Sequence, residues 1–96
     1  MEYNLPEKAV SDIVFFAKSN GVEKVILFGS RARGTNAERS DIDLAVSGGD
    51  AFNYYYDLEE KARTLLIFDV VNLDKGVTAE LKKEIERDGI VLYEKI

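Results

Sequence analysis

The chain has 96 residues, 18 of them acidic, 13 basic and none histidine or cysteine, for a formal charge of −5. That length supports one domain around one core, and the acidic balance argues against a nucleic-acid backbone as the main partner, although a local basic cluster is enough for one nucleotide. The absence of cysteine and histidine excludes disulfides, thiolate and imidazole metal sites and an imidazole base, so any metal must be held by oxygen.

Apolar residues make up 46% of the chain and charged residues 32%, the balance of a folded domain. No apolar run approaches the ~18 residues of a membrane span, and the start, MEYNLPEK, has neither the basic nor the apolar region of a signal peptide; the expected location is the cytoplasm. Pro6 opens a helical pattern in which Leu5, Ala9, Val10, Ile13, Val14 and Ala17 recur, and Asn20-Gly21 stops it, predicting a helix over Pro6–Ser19. Lys24–Phe28 reads as a short strand ended by Gly29. Asp41–Ser47 alternates, with Ile42, Leu44 and Val46 on one face, and reads as a second strand.

Gly48-Gly49 breaks the chain and Asp50 caps a helix predicted to run to about Leu65, with Phe52, Tyr55, Leu58, Ala62 and Leu65 inward. The neighbours Tyr54, Tyr55 and Tyr56 fall on different sides of that helix, so one or two belong to packing and the rest to the surface. Ile67–Leu73 is a third strand. Thr78 caps a last helix with Leu81 and Ile85 inward, closed by Asp88-Gly89, and Ile90–Tyr93 is a final strand. The order α-β-β-α-β-α-β predicts a single α/β domain (α+β type) spanning residues 1–96, a small mixed sheet flanked by helices.

The chemistry concentrates in FGSRARGTNAERSDIDLAV, Phe28 to Val46. A strand, Gly29-Ser30 and a short helical segment let backbone N–H groups and a hydroxyl converge on an anion, with no side chain at Gly29 to block it. The glycine spacing of GSRARGT imitates a P-loop, but the lysine that loop requires is missing, which excludes a Walker-type NTPase. Asp41 and Asp43 lie two apart in a strand and share one face, with α-carbons about 6.5–7 Å apart, opposite the apolar residues. Two like charges that close repel, and a divalent cation reverses the penalty; Mg²⁺ takes one or two carboxylates plus substrate phosphates.

Asp69, the one acid in IFDVVNL, joins them if the third strand lies beside the second, and is then the nearest acceptor for a hydroxyl proton; Asp74 is its rival. Three carboxylates can hold two metals about 3.5–4 Å apart. Arg31, Arg33 and Arg39 lie between the phosphate seat and the acids, where negative charge develops in phosphoryl chemistry. Ser40 either caps the turn into the second strand or meets a phosphate, the structural role being preferred.

Gly29-Ser30, Arg31-Ala32-Arg33-Gly34 and Ser40-Asp41-Ile42-Asp43-Leu44 together resemble the signature of the DNA polymerase β-like nucleotidyltransferase superfamily in its minimal (MNT) form, over roughly Val22–Asn72, and the closing RDGIVLYE is similar too. The resemblance implies the polymerase β palm-like fold. It implies a triphosphate on Gly29 and Ser30, assisted by Arg31, Arg33 and Ser40, metal on Asp41 and Asp43, and Asp69 as third carboxylate. It further implies transfer of AMP from ATP, with Mg²⁺, to an acceptor hydroxyl. Stand-alone MNT proteins act as antitoxins to HEPN-domain ribonuclease toxins, some by adenylylating a toxin tyrosine, so the expected partner is a HEPN protein. The alternatives are an antitoxin that neutralises by binding alone, and a small-molecule nucleotidyltransferase completed by homo-oligomerisation.

Overall fold

A computed structural model describes residues 4–96. Its elements are α1 (Glu7–Ser19), β1 (Lys24–Phe28), α2 (Ser30–Arg33), β2 (Ile42–Ser47), α3 (Ala51–Lys61), β3 (Phe68–Asn72), a 3₁₀ turn (Leu73–Lys75), α4 (Ala79–Asp88) and β4 (Ile90–Glu94). The sheet order is β3-β2-β1-β4, with β1 antiparallel to both β2 and β4, and β2 parallel to β3. A parallel pair needs a crossover, and α3 supplies it. The predicted order is recovered, and the short helical segment expected after the Gly29-Ser30 turn is α2.

Strand alternation divides the core between two faces. Val25 and Leu27 of β1, Ile42, Leu44 and Val46 of β2 and Phe68 of β3 pack against Ala9, Ile13 and Ala17 of α1 and Tyr54 and Leu58 of α3. On the opposite face a smaller cluster of Phe28, Ala45 and Ile85, with Ile26, Val71 and Leu81, lies under α4. The stripe Ile42, Leu44, Val46 is thus the buried one, as its alternation requires, and Asp43 shares the α4 face with Ala45.

The helix ends follow local chemistry. Pro6 sits just outside α1 rather than within it, and its carbonyl accepts the Val10 N–H at 3.1 Å. The Asp50 carboxylate accepts from Asn53 N–H at 3.0 Å, and Thr78 Oγ1 accepts from Leu81 N–H at 3.1 Å, so both predicted N-caps hold.

The predicted inward set of α3 holds at Leu58 and Ala62 but not at Phe52, Tyr55 or Leu65, and its predicted end does not hold. Phe52 is 80% exposed and Leu65 fully so, while Tyr54 and Leu58 point inward. The reason is Tyr54, whose hydroxyl donates to the Ile13 carbonyl of α1 at 2.9 Å and selects which of three adjacent tyrosines is buried. The helix stops at Lys61, and Ala62 turns extended. Arg63 follows, and its backbone N–H (2.7 Å) and guanidinium (2.9–3.2 Å) all donate to the buried carboxylate of Asp12 on α1. That guanidinium holds the Asp12 carboxyl below the usual carboxylate range. Strand β3 is trimmed at both ends relative to the prediction, Ile67 being exposed and Leu73 entering a 3₁₀ turn in which Asn72 Oδ1 accepts from Asp74 N–H at 2.9 Å.

Tyr54→Phe removes one buried hydrogen bond while keeping the ring, and should cost about 1 kcal/mol. In a domain of this size that is a Tm loss of roughly 4–8 °C, read by thermal denaturation at unchanged far-UV circular dichroism.

Candidate active site

The site forms where β1 ends, β2 and β3 begin and α4 closes over one face. In the parallel pairing Asp43 stands directly opposite Asp69, and in the antiparallel pairing it stands opposite Phe28, the residue before Gly29. A single residue of β2 therefore brings the glycine turn and the third-strand acid together. Gly29 has φ +76°, and a Cβ there would run into Asp43 Oδ2. Only glycine tolerates both the left-handed backbone and the contact, so the turn lies directly against the carboxylate.

The turn is tight. The N–H groups of Ala32 and Arg33 both donate to the Gly29 carbonyl at 3.1 and 3.2 Å, and Thr35 N–H donates to the Ser30 carbonyl at 2.9 Å. With Ala32 and Arg33 N–H taken by Gly29, the N–H groups of Ser30 and Arg31, which have no carbonyl of their own helix to meet, are the donors α2 offers next to the Gly29 turn.

Asp43 is partly buried, whereas Asp41 and Asp69 are exposed. Burial, then the charges of Asp69, Asp41 and Glu84, push the Asp43 carboxyl up to about 6, with Arg33 opposing. Asp69, Asp41 and Glu84 are therefore close enough to oppose the ionisation of Asp43. Among the described residues no three acidic side chains converge tightly enough to cage a metal by themselves. Mg²⁺ held largely by substrate phosphates needs only one or two carboxylates, and a donor set made entirely of carboxylate oxygen suits that ion.

The arginines separate into different roles. Arg31 is 3% exposed and donates all three kinds of guanidinium N–H to backbone carbonyls: Nε to Ser40 at 2.9 Å, Nη1 to Asn4 at 2.8 Å and Nη2 to Glu38 at 2.9 Å. Arg31, expected to contact nucleotide, is buried here and uses each guanidinium nitrogen to brace the Thr35–Ser40 loop against the chain at Asn4. Arg33 keeps its head at the surface, with Nη1 3.3 Å from Asp88 and 3.9 Å from Glu84. Arg39 is exposed on the same loop.

Of the two roles open to Ser40 the structure shows the preferred structural one, its Oγ accepting from Ala37 N–H at 2.9 Å and its carbonyl receiving Arg31. Asp74 is accounted for as well, accepting from Gly48 N–H at 2.7 Å far along β2 from Asp43. Neighbouring clefts flank the loop without reaching the acids. One of about 490 Å³ is lined by Asn4, Leu5, Arg31, Asn36 and Glu38, another of about 560 Å³ by Pro6, Arg39 and Leu65 to Ile67. The sequence reading missed Glu84 and Asp88, which reach the site only through the packing of α4; their four-residue spacing on one helix face was the available signal.

The polymerase β nucleotidyltransferase family model matches residues 12–96, nearly the whole chain. The chain belongs to this nucleotidyltransferase family. A protein of Methanocaldococcus jannaschii, provisionally named a protein adenylyltransferase, is 35% identical to this nucleotidyltransferase over 99 positions, covering 91% of it and 97% of the relative. Among solved structures, a chain of a toxin–antitoxin complex with AMP-PNP superposes with a TM-score of 0.72 at 23% identity, covering 90% of this chain and 73% of that one. A chain from the complex of a tri-AMPylated Shewanella oneidensis HEPN toxin with an MNT antitoxin gives 0.62 at 22% identity, covering 91% and 71%. At those identities the two superpositions establish a shared fold.

Two outcomes test the geometry of this nucleotidyltransferase. Arg31→Met should lower the Tm by roughly 8 °C or more, because the buried guanidinium and its three hydrogen bonds to carbonyls are lost, whereas Arg33→Met should shift it by no more than about 2 °C. Asp43, whose folded carboxyl titrates near 6 against 3.8 for an ordinary aspartate, binds its proton more tightly in the folded state. Its ionisation costs stability as pH rises through that window, and the full cost applies above it. Asp43→Asn should therefore raise the Tm in EDTA at about pH 8 by on the order of 4 °C, and leave it unchanged at about pH 3.5.

Proposed function

We propose that this nucleotidyltransferase transfers AMP from ATP, with Mg²⁺, to a tyrosine hydroxyl of a HEPN-domain ribonuclease toxin, and so acts as its antitoxin. The observation that carries the reading is the meeting of the Gly29 turn, Asp43 and Asp69 through one residue of β2. The names of the Methanocaldococcus jannaschii relative and of the two toxin–antitoxin complexes support the choice of AMP and of a protein acceptor.

The backbone N–H groups at the start of α2 and the Ser30 hydroxyl seat the triphosphate, where negative charge grows on the departing pyrophosphate. Asp41 and Asp43 would hold the metal, with Asp69 completing the set; when bound, it neutralises the triphosphate and favours deprotonation of the acceptor. The acceptor oxygen forms a bond to the α-phosphorus as the bond from that phosphorus to the bridging oxygen breaks, releasing pyrophosphate. Asp69, on the edge strand and exposed, accepts the hydroxyl proton at a carboxylate oxygen. Its carboxylate stands on open surface, which suits an acceptor presented by another folded protein better than one that must be enclosed.

Mixing the chain with ATP, Mg²⁺ and the product of the neighbouring gene should add about 329 Da per AMP to that partner, and Asp43→Ala should cut the rate by at least ~10³-fold. No mass gain, together with full neutralisation of the toxin by Asp43→Ala, would leave binding alone as the mode of action.

A further inference from the structure

Arg33 is tied to the phosphate seat from both of its ends. Its backbone N–H donates to the carbonyl of Gly29 at 3.2 Å, so its α-carbon moves with the glycine turn. Its head is held by α4, where Asp88 Oδ2 lies 3.3 Å and Glu84 Oε2 3.9 Å from Nη1. Glu84 and Asp88 are one helical turn apart and so present their carboxylates on one face of α4.

What the contact leaves over is informative. Arg31 has every guanidinium nitrogen engaged, whereas for Arg33 a single nitrogen, Nη1, meets a protein acceptor among the described residues, so Nε and Nη2 remain as donors. Asp88 is built to hold rather than to react. Its side chain is 13% exposed, Arg87 also donates to it at 2.8–3.1 Å, and the two arginines keep its carboxyl below the usual range. The contact bridges the residue that follows the Gly29 turn to α4, and the Arg33 charge opposes the rise at Asp43.

We infer that Asp88 is a positioning residue for the triphosphate: by anchoring Arg33 at Nη1 from α4, it presents the remaining guanidinium donors to the β- and γ-phosphates beside the Gly29 turn. This rests on the proposed use of ATP. Glu84 contributes a weaker second anchor, and the two acids fix an otherwise long, freely rotating side chain before nucleotide arrives, so less rotamer freedom is lost on binding.

The test is nucleotide binding by the full chain with Mg²⁺, titrated calorimetrically with ATP and with AMP, for the wild type, Asp88→Asn, Asp88→Glu, Arg33→Met, the double variant Asp88→Asn/Arg33→Met, and Arg87→Met. Asp88→Asn should weaken ATP binding about 5- to 10-fold, with Asp88→Glu recovering most of it, while AMP, which lacks the outer phosphates, binds all variants alike. In the Arg33→Met background the same change should have no further effect, because the acid acts through that arginine. Arg87→Met, which touches Asp88 but not the site, should bind ATP as the wild type does. Equal ATP affinity of Asp88→Asn and wild type, or an Asp88→Asn effect that persists without Arg33 or extends equally to AMP, would overturn the inference while leaving ATP as the donor. A wild-type chain that binds no ATP would instead overturn the proposed reading and this inference with it.

Discussion

Asp43 and Asp69 face each other across a pair of parallel strands, with Asp41 two residues before the first and the glycine turn pressed against it. Like charges set side by side in a sheet destabilise it, and here burial adds to the penalty at Asp43. Other features of the domain hold that arrangement in place. The opposite face of β2 is buried without exception at Ile42, Leu44 and Val46, so the strand cannot slip by one residue without driving three aliphatic side chains into water. Burial of that stripe fixes the direction of the aspartates.

The loop that leads into β2 is secured by a different means. Between Gly34 and Ser40 there is little apolar material to pack, and the work falls to a buried guanidinium that collects three carbonyls from two separate stretches of chain. A lysine could not do this, because the geometry calls for a planar fork with donors in several directions. The result is a division of labour between arginines two positions apart: Arg31 faces inward to shape the loop and Arg33 faces outward towards α4. Sequence spacing along a single helical turn makes this split unavoidable, since residues i and i+2 point to different sides.

Much of this was legible in the chain itself. The alternation at Asp41–Ser47, the punctuation at Asn20-Gly21 and Gly48-Gly49 and the caps at Asp50 and Thr78 are local signals, and local signals suffice for element order and for the face on which the aspartates lie. The pairing of Asp43 with Asp69 needed one further assumption, that β3 lies beside β2, which the helical crossover between them favours. The errors have a common origin. Which tyrosine of Tyr54-Tyr55-Tyr56 turns inward, where α3 stops and how Arg31 is engaged depend on partners at Ile13, Asp12 and Asn4, which lie 41, 51 and 27 positions away. No helical or strand period carries information over such separations. The α4 acids escaped notice for the same reason.

Strand β3 lies at the margin of the sheet, with one row of its backbone donors and acceptors unpaired. In the run Ile67 to Leu73, IFDVVNL, the single charge belongs to Asp69. Stripped of it, the run combines strong β-formers with no charge and no proline, the composition that templates strand addition between molecules. The carboxylate proposed to take the acceptor's proton is therefore also the one charge that blunts this border against strand addition. A neutral substitution there trades colloidal stability as well as reactivity, and the insoluble fraction of such a preparation measures the former separately from the latter.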